Sequence, residues 1–565
     1  MKLKQTLLAG SLSLAMILSL STVASAANKV NFEQNTATDN TYGYVDSEVD
    51  QFKTYTTYVK GKSLDTKLYK PVSGDTLVVV FHGNGEGGVE GKTNNYTQLA
   101  GNRLAVTYTE KEIQEKFKGA YVLSFQAPED WYHDHTAEAK QVIDQACKEF
   151  GIKQKFVSGL SAGGLMSERM LSTYPDFFDG ALFSCAAIAK NGTYVEGLGG
   201  DYTLDYSSMT DENTLPDDLD KPEDGSKHNQ TLKLQRPADF NAYLSNYNTW
   251  LDKIAQSKTP LFMVHAQNDN TIASSWTKYA YKYISTQRQQ QKNNAPTYYQ
   301  IIDDTNYDAT TSWSQHWSWI KMLNNDITDS TNTIKTIDFI TSLSTSKNTY
   351  QEKETSLPLA GKSDQENTFK FNLVAKVKDD GEKVTTAIID LAGKKLKDTN
   401  LDAKMFKVTA YATDATGIAS SQSANYGNLI QYTADKPEEI AVEKAEVDSQ
   451  GNIVLTLANE GVLNYTAPAS RNLPMIMHYA IAPMTLAFVE EENPAPVTPS
   501  KEKQQTPDTK KTPAKTQTVK PKAQAKTKTK VVKSGDSTTI LPYVGIAVVA
   551  LVVIILLLTK KKKNQ

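Results

Sequence analysis

The sequence predicts an α/β fold, a doubly wound and mostly parallel sheet, followed by a separate all-β region. Three observations predict it. Short apolar runs alternate with stretches of helical period through the first half of the chain, and strict two-residue alternation takes over after about residue 345. A glycine-flanked serine also sits where one apolar run gives way to a helical pattern.

The apolar runs are Thr76 to Phe81, Tyr121 to Phe125, Phe156 to Gly159, Ala181 to Cys185 and Leu261 to Val264, each short enough for a buried strand. Between them Ala139, Val142, Ile143, Ala146, Cys147 and Phe150 recur at helical spacing, and Leu165 to Tyr174 forms a second helix candidate. Strands that alternate with helices are covered on both faces, which favours parallel pairing. Ile334 to Leu343 supplies a closing helix. Beyond it Phe369, Phe371, Leu373, Ala375 and Val377 alternate with polar residues, as do Phe406, Val408, Ala410 and Ala412, and again Ile453, Leu455 and Leu457. Half-buried strands of this kind predict a β-sandwich. The chain divides accordingly into an α/β region at 27–347 and a sandwich at 360–492.

The ends carry addressing signals. Lys2 and Lys4 precede an apolar run from Leu7 to Leu20, and Ala24-Ser25-Ala26 closes it. This is the pattern of a secretory signal peptide over residues 1–26. Residues 493–533 are Pro, Thr, Lys and Gln with almost nothing apolar, a composition that predicts a disordered stalk with a reach on the order of 120 Å. Ile540 to Leu558 is almost wholly apolar and long enough to span a hydrocarbon core of about 30 Å. Lys560 to Lys563 stand in the basic tail at 559–565, and lysines there favour a cytoplasmic end, which leaves the bulk of the chain outside the cell. Lys533-Ser534-Gly535-Asp536, the apolar span and the closing lysines together resemble surface-anchor tails of Gram-positive bacteria. Leu541-Pro542 lacks the x-Thr-Gly of a sortase signal, so a simple membrane anchor is expected.

The formal net charge is −3, and the basic residues crowd into stalk and tail, so the folded part is acidic and offers no nucleic-acid footprint. Two cysteines, Cys147 and Cys185, are too few for a disulfide framework and read as small buried hydrophobes, with a single disulfide between them as the alternative.

Chemistry centres on Gly159-Leu160-Ser161-Ala162-Gly163. A sharp strand-to-helix turn brings backbones together and leaves no room for a Cβ at the two glycines, so Ser161 stands exposed as a nucleophile. The helix N-terminus behind it favours developing negative charge. After the first strong strand comes Phe81-His82-Gly83-Asn84-Gly85. Its glycines let the N–H near Asn84 converge with that of Ala162 on one oxyanion, while His82 itself reads as structural. Of seven histidines, His316 and His478 alone follow the acid candidates, and His316 is the expected base. Asp269, past the strand ending at His265, is the expected acid, with Asp303 and Asp304 as rivals.

Other features invite a role. His133-Asp134-His135 lacks the further ligands of a metal site, and neither metal nor cofactor is expected. Trp131 and Tyr132 are candidates to line the substrate, with partial core packing as the equal alternative. The acidic stretch from Asp201 to Asp224 reads as a solvated excursion, with a lid or calcium loop as the alternatives.

Residues from about Gln51 to Leu343 resemble α/β-hydrolases, specifically esterases of the EstA type and related predicted peptidases near polyhydroxybutyrate depolymerases. The resemblance is carried by Leu68-Tyr69-Lys70-Pro71, by His82-Gly83 with Gly85-Glu86-Gly87-Gly88, and by Gln98-Leu99-Ala100. Gly159 to Gly164, the His265-x-x-x-Asp269 spacing and His316-Trp317-Ser318-Trp319 complete it. It implies a Ser161–Asp269–His316 triad. Met405 to Ala410 also resembles the immunoglobulin-like (Ig-like) domain accompanying some of these esterases, where that domain precedes the hydrolase; here it lies after it. The expectation is a surface carboxylesterase acting on a small ester or an ester-decorated polymer. A serine peptidase on the same scaffold is the near alternative. A surface adhesin, binding protein or glycan through its sandwich beside a vestigial hydrolase, is the distant one.

Overall fold

A computed structural model describes residues 28–36, 43–55, 64–88, 97–189, 193–198, 240–267, 269, 271–303, 315–353, 359–379, 381–414, 436–458, 465–466 and 473–489. The signal peptide, the stalk, the expected membrane span, the basic tail and the acidic stretch at 201–224 lie outside the described residues. Among the described residues no helix is long and apolar enough to cross a membrane.

The chain opens with β1 (Asn28–Gln34) and the short β2 (Val45–Asp46), then builds the first sheet from β3 (Phe52–Thr54), β4 (Asp65–Tyr69), β5 (Thr76–Phe81), β6 (Ala120–Gln126), β7 (Gln154–Leu160), β8 (Gly180–Ser184), β9 (Leu261–Ala266) and β10 (Thr297–Ile302). Its eight strands run in the order β10-β9-β8-β7-β5-β6-β4-β3. Every neighbour pair from β10 to β6 is parallel, and only β4 and β3 bring antiparallel pairing. Burial explains the composition: β5 and β9 are buried at every position, as strands covered on both faces must be.

Helices fill both faces. They are α1 (Thr97–Ala100), α2 (Leu104–Thr107), α3 (Lys111–Phe117), α4 (Thr136–Phe150), α5 (Ala162–Thr173), α6 (Phe240–Gln256), α7 (Ser275–Gln291), α8 (Ser318–Leu323) and α9 (Thr336–Ser342). In α4 the buried residues are Thr136, Ala139, Val142, Ile143 and Ala146, while Cys147 and Phe150 of the expected stripe are only half-buried, and Gly151 ends the helix in the left-handed region at φ +66°. Helix α5 is different, because Ala162 through Ser172 are all buried. It is a core helix, enclosed on every side.

The remaining strands are β11 (Thr368–Lys378), β12 (Gly381–Ile389), β13 (Val408–Asp414), β14 (Glu438–Ile440), β15 (Val442–Val447), β16 (Ile453–Leu457), β17 (Tyr465–Thr466), β18 (Leu473–Ile481) and β19 (Met484–Leu486). They form a seven-stranded sheet, β15-β16-β12-β11-β1-β19 with β2 beside β11, and a four-stranded sheet, β14-β13-β18-β17. Phe371, Leu373 and Ala375 from the first share an apolar core with Val408, Ala410 and Tyr479 from the second.

The boundary expected at residue 27 needs correction. Strand β1 falls within 27–347 yet joins the later sheet, pairing in parallel with β11 and antiparallel with β19. Its Val30 is fully buried there. Strands β11 and β19 would otherwise present unpaired backbone to each other across a gap, and β1 satisfies both edges. The second region is thus built from both ends of the described chain. Arg103, ahead of α2, bridges the two regions by donating to Asp379 at 2.9 Å, and within its own region it donates to Asn324 at 2.7 Å. Both cysteines are free, and Cys185 lies one residue beyond β8, at φ +43°, rather than within it.

Candidate active site

Strand β7 runs through the middle of the sheet between β5 and β8, and the chain turns sharply at its end into α5. Ser161 makes the turn at φ +52° and ψ −116°, a backbone conformation costly to a residue with a side chain, of the order of 1–3 kcal/mol. Three hydrogen bonds hold it there. Its N–H donates to the Ser184 carbonyl at 3.0 Å, and its own carbonyl accepts from Leu165 and Ala187, each at 3.0 Å. The flanking glycines are sterically required. A Cβ on Gly159 would come within 2.3 Å of the Gly163 carbonyl oxygen, and one on Gly163 within 1.9 Å of that of Phe81.

The partners follow strands further out, β9 and β10. Asp269 follows β9 in the loop toward α7, and His316 stands two residues ahead of α8. Nε2 of His316 lies 2.8 Å from Oγ of Ser161, and its Nδ1 lies 2.6 Å from Oδ2 of Asp269. A carboxylate only accepts, so Nδ1 carries the hydrogen and Nε2 is left to accept from the serine. All three side chains are buried, Asp269 completely.

Asp269 is well supported for a buried acid. Its Oδ1 accepts from the N–H groups of Thr271 at 2.8 Å and Ile272 at 2.9 Å. Its Oδ2 also receives Nε2 of His265 at 3.1 Å. Burial alone would raise its pKa, but the charge of His316 and the hydrogen bonds from His265 and His316 outweigh it and hold the carboxyl well below the usual carboxylate range. His265 is steadied in turn by Thr277, whose Oγ1 lies 2.8 Å from Nδ1. In the sequence His265 is only a marker of spacing. Its four-residue offset from Asp269 is the one signal that could have found this second imidazole.

The expected oxyanion donors come from two loops brought side by side. Phe81 is in register with Gly159 across β5 and β7. The turn beginning at Gly83 presses on the elbow so closely that a Cβ on Gly83 would lie 2.5 Å from Cδ1 of Leu160. Ala162 opens α5, where first-turn N–H groups have no intrahelical acceptor, and Asn84 is half-buried in the turn opposite. His82 is structural: buried, it accepts the Ala127 N–H on Nε2 at 3.0 Å and has Nδ1 2.6 Å from the Gly83 carbonyl.

Other candidates sit elsewhere. Trp131 and Tyr132, expected to line substrate, are buried in the packing. Trp131 stands edge-on to Phe81 at 5.2 Å and lies 5.0 Å from the His82 ring. The cause is Arg169 of α5, which donates to the carbonyls of Trp131, Tyr132, His133 and Glu196 and draws that loop inward. Asp303 is exposed, Asp304 lies outside the described residues, and His478 belongs to β18 against Thr413.

His133 is exposed beside Asp130 and His135 packs edge-on against Trp131. Among the described residues, Cys185, Asp269 and His316 alone form a group of three potential metal ligands, with donor atoms within 4.8 Å of one another. The donor set does not suit a metal. Asp269 and His316 spend their facing atoms on each other, and burial, with Asp269 nearby, pushes the Cys185 thiol up to about 12, so it stays protonated.

A mostly parallel eight-stranded sheet, a strained serine between central strand and helix, and an acid and a histidine in later loops define an α/β-hydrolase-like fold. No protein-family model matches the chain, and no curated protein matches it significantly in sequence. Solved structures similar to it include a monoacylglycerol lipase of Paleococcus ferrophilus, at 17% identity and TM-score 0.28, covering 50% of this chain and 100% of that one. An acylaminoacyl peptidase of Pyrococcus horikoshii is similar at 14% identity and TM-score 0.30, over 48% of this chain and 41% of that one. Est1E from Butyrivibrio proteoclasticus is similar at 17% identity and TM-score 0.25, over 45% and 88% respectively.

Proposed function

We propose that this protein is a serine hydrolase, and in particular a carboxylesterase held at a bacterial cell surface. The observation that carries the reading is the hydrogen-bonded line from Ser161 Oγ through His316 to Asp269, at 2.8 and 2.6 Å. His316 Nε2 takes the Ser161 proton as Oγ attacks the ester carbonyl, and Asp269 stabilises the imidazolium that forms. The backbone N–H of Ala162 and one near Asn84 receive the oxyanion. The tetrahedral species collapses as His316 returns the proton to the leaving alcohol. Water then takes the alcohol's place, loses a proton to His316 and releases the acid, restoring Ser161.

The surface location rests on sequence features, namely the signal peptide at 1–26, the stalk at 493–533 and the apolar span at 540–558 with its lysines. The resemblance to EstA-type esterases supports an ester substrate, small or carried on a polymer. The all-β region is proposed as an Ig-like module that binds protein or glycan.

The test is a fluorophosphonate probe on residues 27–490, compared with Ser161→Ala. Labelling of wild type alone, with turnover of p-nitrophenyl esters above that of peptide anilides, is expected. A folded wild type that does not label would overturn the reading.

A further inference from the structure

Glu86 is buried beneath the turn after β5, and no part of the proposed chemistry uses it. Its Oε2 accepts the N–H of Gly83 at 2.9 Å, so the side chain reaches back across the turn it belongs to. Its Oε1 accepts from Nδ2 of Asn102 at 2.5 Å, and Asn102 is itself fixed because its Oδ1 accepts the Leu104 N–H at 3.1 Å. The Glu86 carbonyl takes Nε2 of Gln126 at 3.0 Å and Oγ1 of Thr97 at 3.2 Å. Gly101 packs against the carboxyl so tightly that a Cβ there would lie 2.3 Å from Oε1. Such an enclosure holds the carboxyl to one position. His82 brings Nδ1 to 4.0 Å from Oε2, but that nitrogen is engaged at 2.6 Å with the Gly83 carbonyl, and the ring, accepting the Ala127 N–H on Nε2, is neutral.

The turn so clamped, Gly83 to Glu86, is the one pressed against Leu160 at the serine elbow. From these contacts we propose that Glu86 is a positioning residue for the oxyanion hole, setting the turn that aims the N–H near Asn84 at the carbonyl Ser161 attacks. The inference rests on the serine-hydrolase reading above. Burial pushes the Glu86 carboxyl up to about 8, against the pull of Asn102 and the Gly83 N–H. Its two oxygens both accept, one from the Gly83 N–H and one from Nδ2 of Asn102, so its task at Gly83 is that of a correctly placed acceptor. Reach decides whether that acceptor meets the Gly83 N–H.

That distinction sets the experiment. Glu86→Gln keeps an acceptor for the Gly83 N–H at the same reach, with its amide NH2 in place of the oxygen that Asn102 faces, whereas Glu86→Asp keeps the carboxyl but withdraws it from Gly83 by one methylene. Both are assayed per folded molecule in residues 27–490, by p-nitrophenyl ester turnover and by the rate of fluorophosphonate labelling. Glu86→Asp should lower kcat and the labelling rate by about 10²-fold at near-constant KM, the scale for one misplaced oxyanion donor. Glu86→Gln should stay within about threefold of wild type, a rescue the same principle predicts when the donor geometry is kept. Equal activity in the two variants would overturn the proposal, as would Glu86→Asp outperforming Glu86→Gln, or a change confined to melting temperature. A wild type that fails to label removes the hydrolase reading and this proposal with it. A wild type that labels beside an equally reactive Glu86→Asp removes this proposal alone.

Discussion

Nε2 of His265 lies 3.1 Å from Oδ2 of Asp269, the same oxygen that receives Nδ1 of His316 at 2.6 Å. One buried carboxylate thus holds two imidazoles, and His265 helps to fix the oxygen that His316 meets. Replacing His265 by Ala should lower kcat about tenfold with KM little changed, the scale of one hydrogen bond to a charged group. Asp269→Asn should cost about 10⁴, because an amide misdirects the His316 tautomer. Steady-state kinetics of both variants decide the point, and a His265→Ala enzyme at full kcat would remove the positioning role.

The elbow tolerates no side chain at Gly163. A methyl there meets the carbonyl oxygens of Phe81 at 1.9 Å and His82 at 2.5 Å, both backbone atoms that cannot swing aside. Gly163→Ala should reduce turnover by about 10² or more through displacement of the serine or of the opposing loop. Gly151→Ala is the control, since nothing lies within 4 Å of its would-be Cβ and only its positive φ is strained. It should cost about 1 kcal/mol of stability and leave kcat alone.

Glu168 lies deeply buried in α5 and accepts the Tyr247 hydroxyl at 2.8 Å. Burial pushes its carboxyl up to about 8, offset in part by that hydrogen bond. An unfolded glutamate titrates near about 4.3. A folded pKa above the unfolded one means the stabilisation is complete below about 4.3 and is lost as pH rises through about 8. Glu168→Gln keeps an acceptor for Tyr247 and has no proton to lose. Denaturation at several pH values should find the two proteins alike near pH 4.5 and the variant more stable at pH 8, by on the order of 1–2 kcal/mol. A gap that ignores pH would contradict this.

Strand β1 completes the second region, so residues 350–490 made alone should fail to fold, leaving β11 and β19 with unpaired edges. Removing residues 28–36 from the full chain should expose the strands from β11 to β19 to limited proteolysis while the described strands and helices from β5 to α9 resist. Val30→Ala is the milder form, expected to cost about 1–3 kcal/mol as a buried aliphatic is truncated. A protease-resistant 350–490 fragment would refute the shared construction.

Much of the site was legible because its signals are local. The Gly159 and Gly163 pair reports a steric demand at the turn itself, and Thr76 to Phe81 or Leu261 to Val264 report burial through unbroken apolar runs. The placing of Trp131 and Tyr132 was not legible. Their aromatic rings suit a pocket wall and a core equally, and the outcome turned on Arg169, distant in sequence, taking the carbonyls of their loop. Glu86 was visible as part of a glycine-rich string, but its grip on Gly83 and Asn102 depends on a loop sixteen residues away.

By itself the sequence determined the mostly parallel α/β sheet, the change to period-two strands, the serine elbow, and which three residues, Ser161, Asp269 and His316, come together there. These come from side-chain periodicity and from the steric limits of single residues, which neighbours in sequence express. The tertiary structure decided which strand β1 would join, that His265 shares an oxygen with His316, and that Glu86 clamps the turn beside Leu160. Backbone hydrogen bonding is blind to side-chain identity, and a carboxyl's partners are fixed by packing across the fold. Neither leaves a mark in the sequence near the residues concerned.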